Sequence, residues 1–158
     1  MDNILAASKI LEQEADFIFV VGDSNMLSEL GANCIQVVNI SNDELKEIYS
    51  LADVALGQLS DHQRLKYTIP HKAFEAGYFS KCYLTTLTPG IKEIYQESSI
   101  YVLNQPTAVS IATTLLRIKT ERSSKTKQIA INGDYVRRVS QKVTNDFFEE
   151  ILFDYIRE

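Results

Sequence analysis

The stretch 64–81, RLKYTIPHKAFEAGYFSK, carries the side chains whose types and spacing could do chemistry. Pro70 has no amide hydrogen and a fixed φ, which suits the first turn of a helix, so the pattern predicts a helix opening there. His71 and Lys72 then fall where free backbone amides and the positive end of the helix dipole attract anions. Glu75 shares a face with them, at i+4 from His71 and i+3 from Lys72. Amides, a cation and a carboxylate on one rim could hold a phosphorylated, hydroxyl-rich ligand, with the amides and Lys72 on phosphate and Glu75 on a diol. The same spacing also describes an ordinary surface pair behind a proline start, and the residues alone leave both readings open. His62 and His71 are the only histidines, and neither stands in a serine–aspartate or metal-ligand pattern, so a hydrolase triad and a metal centre have no support.

The elements that must position this cluster follow from periodicity. Residues 1–14 read as a helix striped by Ile4, Leu5, Ala7, Ile10 and Leu11. Residues 17–21, FIFVV, form a continuous apolar run ending at Gly22, as in a parallel strand covered on both faces. A short helix over 25–30 closed by Gly31 and a strand over 34–38 come next. Ser41 and Glu44 have capping-box spacing and open a helix with Leu45, Ile48, Tyr49 and Ala52 on its inner face. A strand over 53–56 feeds the polar loop GQLSDHQRLKYT, placed where open α/β sheets put ligand-binding groups, beyond the carboxyl ends of the strands. Strands over 81–86 and 99–103, a short helix after Thr88 and a helix from Pro106 to about Thr120 complete the alternation. The segment TERSSKTK reads as a loop or weak turn, with terminal helices over 134–143 and 144–156. The expected fold class is α/β, a Rossmann-like doubly wound parallel sheet with helices on both faces and a helical C-terminus, in one domain spanning 1–158 with terminal helices over 134–158.

Composition narrows the function classes. The chain has 158 residues, 45% apolar and 23% charged, enough for one domain with a real core. A net charge of −5 argues against nucleic acid or an anionic membrane as the main partner while permitting a local phosphate site. Cys34 and Cys82 are the only cysteines and form no Cys-x-x-Cys pair, which points to two buried free thiols. No apolar run approaches the ~20 residues of a membrane span, and no basic segment precedes an apolar one at the N-terminus, so a cytoplasmic location is expected.

Taken together, ADFIFVVGD at 15–23, DELKEIYSLADVAL at 43–56, IPHKAFEAGYFSKCYLTT at 69–86 and TPGIKEI at 88–94 resemble the carboxyl-terminal, donor-binding half of group 1 glycosyltransferases of GT-B architecture. The resemblance covers roughly residues 2–140. It implies that Thr68, Ile69, His71 and Lys72 face the diphosphate of a nucleoside-diphosphate sugar and that Glu75 meets the ribose hydroxyls. It further implies that Asn39, Ile40 and Ser41 lie near the base and that Arg64 reaches the phosphates or the sugar. Lys72 and Arg64 would stabilise the leaving diphosphate, with no metal and no cofactor beyond the donor substrate. The chain departs from the family at Tyr67, which stands eight residues before Glu75 in place of a glutamate. The family's initial strand and its acceptor-binding half have no counterpart here, so the sheet is expected to lack its usual first strand.

The resulting expectation is the donor-binding part, or fragment, of a retaining glycosyltransferase, inactive in isolation. It would transfer a sugar from a nucleoside-diphosphate sugar to an acceptor hydroxyl once joined to an acceptor-binding domain or subunit. Two alternatives stand beside it: a non-catalytic interaction domain with a degenerate nucleotide site, and half of a nucleotide-sugar epimerase. Self-association is also expected from an open central sheet edge. A response-regulator-like site is disfavoured because Asp53 opens its strand instead of closing it.

Overall fold

The computed structural model describes residues 2–14, 16–22, 31–60, 68–121 and 124–140. Helix α1 (Asp2–Ile10) buries Leu5 and Ala7, as its apolar stripe requires, and Asn3 Nδ2 donates to the Pro106 carbonyl at 2.7 Å, fixing its start. Strand β1 (Phe19–Val21) pairs with β2 (Cys34–Gln36), and helix α2 (Asn42–Leu51) then leads to β3 (Val54–Leu56). Helix α3 (His71–Tyr78), strand β4 (Cys82–Thr85), helix α4 (Pro89–Ile94) and strand β5 (Tyr101–Val102) follow, a 3-10 turn over Glu97–Ser99 preceding β5. Helices α5 (Ala108–Thr120) and α6 (Ser124–Tyr135) complete the chain's described part, α6 running into a π-helical turn over Val136–Ser140.

All pairings are parallel, and they make two sheets, β1–β2 and β3–β4–β5. This is a Rossmann-like doubly wound layout in which, among the described residues, no strand joins the two sheets. Alternation along β4 sets the two faces. Cys82 and Leu84 enter one core with Ala7, Leu11, Phe19, Tyr101, Ile111 and Leu115, under α1 and α5. Tyr83 enters the other with Ala55, Ala73, Ala76, Ile91, Tyr95 and Ile131, under α3, α4 and α6. Covered on both sides, β4 is buried at all four positions.

Most predicted elements are present with trimmed ends. Phe17 and Ile18 fall outside the β1 ladder, the 34–38 strand stops at Gln36, and Ser41 caps α2 with the predicted capping box. Pro70 is the N-cap of α3, one residue before the helix instead of inside it, in extended backbone at φ −71° and ψ 145°. The expected loop over TERSSKTK is overturned: helix α6 starts at Ser124, ten residues ahead of the predicted terminal helix at 134. Its apolar residues Ile129 and Ile131 stand two apart, a spacing that hides a helix, because only Ile131 is buried while Ile129 faces solvent. What holds α6 is tertiary. Asp134 is buried, and its Oδ2 accepts from the Gln96 amide at 3.0 Å and the Ser99 hydroxyl at 2.6 Å. Of the two thiols, both free, Cys82 is buried but Cys34 is half-exposed, donating to Ser8 Oγ at 3.3 Å. The predicted helices over 25–30 and 144–156 lie outside the described residues.

Candidate functional site

The first turn of α3 is built by sequence-local means. Pro70 starts it without any side-chain cap; only the Ala73 amide turns back to the Pro70 carbonyl, at 2.9 Å. The amides of His71 and Lys72 are thus left for an outside acceptor among the described residues, and both side chains are exposed. The approach to this turn crosses α4 closely. A Cβ on Gly90 would stand 3.1 Å from Ile69 Cγ1 and 3.3 Å from the Thr68 carbonyl oxygen, so a glycine lets the Thr68–Ile69 backbone lie against the start of α4.

Beneath it, the carboxyl ends of β3 and β4 are knitted together. The Gly57 amide donates to the Leu84 carbonyl at 2.8 Å, the Gln58 amide to Thr85 Oγ1 at 3.2 Å, and the Thr86 amide and hydroxyl to the Gln58 carbonyl, both at 3.0 Å. Gly57 leaves no room for a side chain, since a Cβ there would overlap the Tyr83 phenol and come within 2.7 Å of Thr85 Cβ. Two polar atoms in this region, Tyr83 Oη and Gln58 Oε1, are buried without a hydrogen-bond partner among the described residues. Tyr83 is near Thr85, but the Thr85 hydroxyl is engaged with the Gln58 backbone. Burial pushes the Tyr83 phenol well above its ordinary pKa, so it stays a protonated donor.

Glu75 has a definite partner. Its Oε2 accepts from the Tyr49 hydroxyl at 2.5 Å, while the Tyr49 ring stacks on Phe79 at 5.2 Å and 8° between planes. Burial first, and then the Glu75 carboxylate, raise the Tyr49 pKa far above its usual value, so the hydrogen bond persists across the whole physiological range. Glu75 Oε1 has no hydrogen-bond partner among the described residues, and no ion pair joins Glu75 to Lys72 there. Glu75 is therefore anchored to α2 through one oxygen, and among the described residues its other oxygen has no partner.

The segment 39–41 begins that same helix. Asn39 adopts left-handed backbone at φ 56°, a conformation asparagine tolerates better than most residues. Ser41 is occupied: its amide and hydroxyl both donate to Glu44 Oε2 at 2.7 Å, and its hydroxyl accepts from the Glu44 amide at 3.3 Å. Asn39 is exposed and Ile40 half-buried. The structure thus brings Thr68, Ile69, His71 and Lys72 together at one helix start, with Glu75 one turn on, and links that helix to the one that 39–41 opens. The link is Tyr49, which the sequence marked only as core; its place on the inner face of α2 was legible, its hydroxyl's partner was not. Arg64, Tyr67 and His62 lie outside the described residues.

Among the described residues no group of three or more histidine, cysteine, aspartate or glutamate side chains could hold a metal ion, and no helix is long and apolar enough to cross a membrane. No model of a known protein family matches the chain, and a search of characterised proteins finds no significant match. What stands is a Rossmann-like α/β fold of the kind that nucleotide-binding domains use, with an open helix start at the carboxyl end of its larger sheet.

Proposed function

We propose that the chain binds a nucleoside-diphosphate sugar at the start of α3, as the donor-binding part of a retaining glycosyltransferase whose acceptor side belongs to another domain or subunit. The observation that carries this reading is the uncapped first turn of α3, with its free amides and the exposed His71 and Lys72, at the carboxyl end of a parallel sheet. The diphosphate would take the Thr68–Lys72 backbone amides and the Lys72 ammonium, which offset the charge that develops as the sugar leaves. Glu75 Oε1 would accept from a ribose hydroxyl while Tyr49 holds the other oxygen. The 39–41 segment would border the base, and Arg64 would add to the phosphate site.

Titration of the labelled chain with UDP and GDP, followed by amide chemical shifts, tests this reading. Saturable shifts at Thr68–Lys72 are expected in the roughly millimolar range, with affinity falling about tenfold in Lys72→Ala. Absence of saturable shifts at those amides for both nucleotides overturns it. The Tyr49–Glu75 bond favours a second reading, a non-catalytic interaction domain in which Glu75 is structural. Glu75→Ala with unchanged nucleotide affinity would select it.

A further inference from the structure

Helix α2 has a light hold on the fold. None of its residues is fully buried, Leu51 is 84% exposed, and Leu45, Ile48 and Tyr49 are half-buried. It is tied to α3 and the turn that follows by contacts at two neighbouring residues. The Tyr49 ring stacks on Phe79 and packs against the Tyr83 core, and Lys81 Nζ donates to the Ser50 carbonyl at 2.8 Å. These contacts seat the ring without using its hydroxyl, which donates separately to Glu75 Oε2. Removing only the hydroxyl, as in Tyr49→Phe, leaves the stack, the packing and the lysine anchor in place.

Glu75 has another partner within reach by sequence. Lys72 stands three residues before it on α3, a spacing at which an ammonium and a carboxylate pair on a helix surface. They do not pair: among the described residues Lys72 joins no ion pair, although its side chain is exposed. Glu75 is instead held toward α2 by Tyr49, a neutral donor that burial keeps protonated. A neutral partner fixes the carboxylate and leaves the ammonium unclaimed.

We propose, resting on the reading that the start of α3 holds a phosphate ester, that Tyr49 is a positioning residue of that site: by holding Glu75 it keeps the carboxylate off Lys72 and leaves the ammonium to the ligand's phosphate. Cation and carboxylate then serve different groups of the ligand, Lys72 a phosphate and Glu75 a hydroxyl. Tyr49 acts on the phosphate only through Glu75, so losing its hydroxyl should be felt there only while the side chain at 75 is charged. A partly exposed pair at this spacing is weak, which sets the effect at about two- to fivefold in affinity.

Two measurements on the full chain test this, one without ligand and one with inorganic pyrophosphate, which offers phosphate oxygens and no diol. In the ligand-free chain the ammonium nitrogen resonance of Lys72 should shift in Tyr49→Phe as the ion pair forms. The same substitution made together with Glu75→Gln should leave that resonance where Glu75→Gln alone puts it. In the titration, Tyr49→Phe should weaken pyrophosphate binding at the His71 and Lys72 amides by about two- to fivefold, and should change nothing when Glu75→Gln is already present. A Lys72 resonance that stays put, or that moves equally in both backgrounds, overturns the proposal. Pyrophosphate affinity unmoved by Tyr49→Phe overturns it as well, and an equal loss in both backgrounds does so by making Tyr49 a purely structural contact. In each of these cases wild-type binding of pyrophosphate leaves the anion site standing. Absence of saturable shifts with pyrophosphate in the wild-type chain overturns the anion site itself, and the role of Tyr49 with it.

Discussion

Strands β4 and β1 are both short and mostly apolar, CYLT and FVV, and meet opposite fates. Hydrogen-bonded on both sides and covered by helices on both faces, β4 exposes nothing, whereas among the described residues β1 is paired on one side, and Val20 is 46% exposed. An apolar run specifies that a strand wants burial; its neighbours decide whether it gets it. The larger sheet has α3, α4 and α6 on one face and α1 and α5 on the other, whereas α2, between the two sheets in the chain, has no fully buried residue.

Paired truncations break or sharpen this contrast, and they carry the largest expected effect. Leu84→Ala, at a fully buried site between two paired strands, should lower unfolding free energy by about 2–5 kcal/mol. Val20→Ala on the smaller sheet should change it by less than about 1 kcal/mol, since half of that side chain is already in water. Urea denaturation of both variants measures the difference, and equal losses would mean that the two sheets are equally sealed in solution.

The second test concerns how the larger sheet's outer face is closed. Asp134 reaches from α6 to the Gln96 amide and the Ser99 hydroxyl just ahead of β5. Asp134→Ala strands the buried Ser99 hydroxyl and the part-buried Gln96 amide and should cost about 1–3 kcal/mol. It should also raise proteolytic sensitivity at α6 before the sheet itself opens. A variant with wild-type stability would show that α6 is held instead by the packing of Ile131 and Tyr135 and by the Asn132 bond to the Gly77 carbonyl.

The sequence exposed most of this architecture because its signals are local. The apolar run at Phe19, the capping box at Ser41 and Glu44, and the proline ahead of His71 each act within one or two turns of chain. What stayed hidden depends on distant partners. The seating of α6 rests on Asp134 meeting residues 35 and more positions away, and the engagement of Glu75 rests on a tyrosine 26 residues upstream. The chain reversal after α3 hides for another reason. Lys81 N bonds the Ala76 carbonyl at 2.8 Å and Ser80 N the Gly77 carbonyl at 3.2 Å, a helix-ending motif that usually takes glycine at the position of Ser80, which here adopts φ 54°. The candidate site was legible as a set of contiguous residues at one helix start, and its link to α2 was not.

The smallest effect expected is at the start of α2, the helix without a fully buried residue. Hydrogen bonds from the Ser41 amide and hydroxyl hold the Glu44 carboxyl below its ordinary pKa, although the group is solvent-exposed. A carboxylate whose pKa is lower folded than unfolded contributes stability above its unfolded value, about 4.3, and that contribution fades as pH falls through the folded value. Exchange protection of the Ser41 and Glu44 amides, corrected for intrinsic rates, should therefore decline on acidification below about pH 4. Glu44→Gln keeps a side-chain acceptor for the Ser41 amide but removes the titration, so its protection should be flatter over that range.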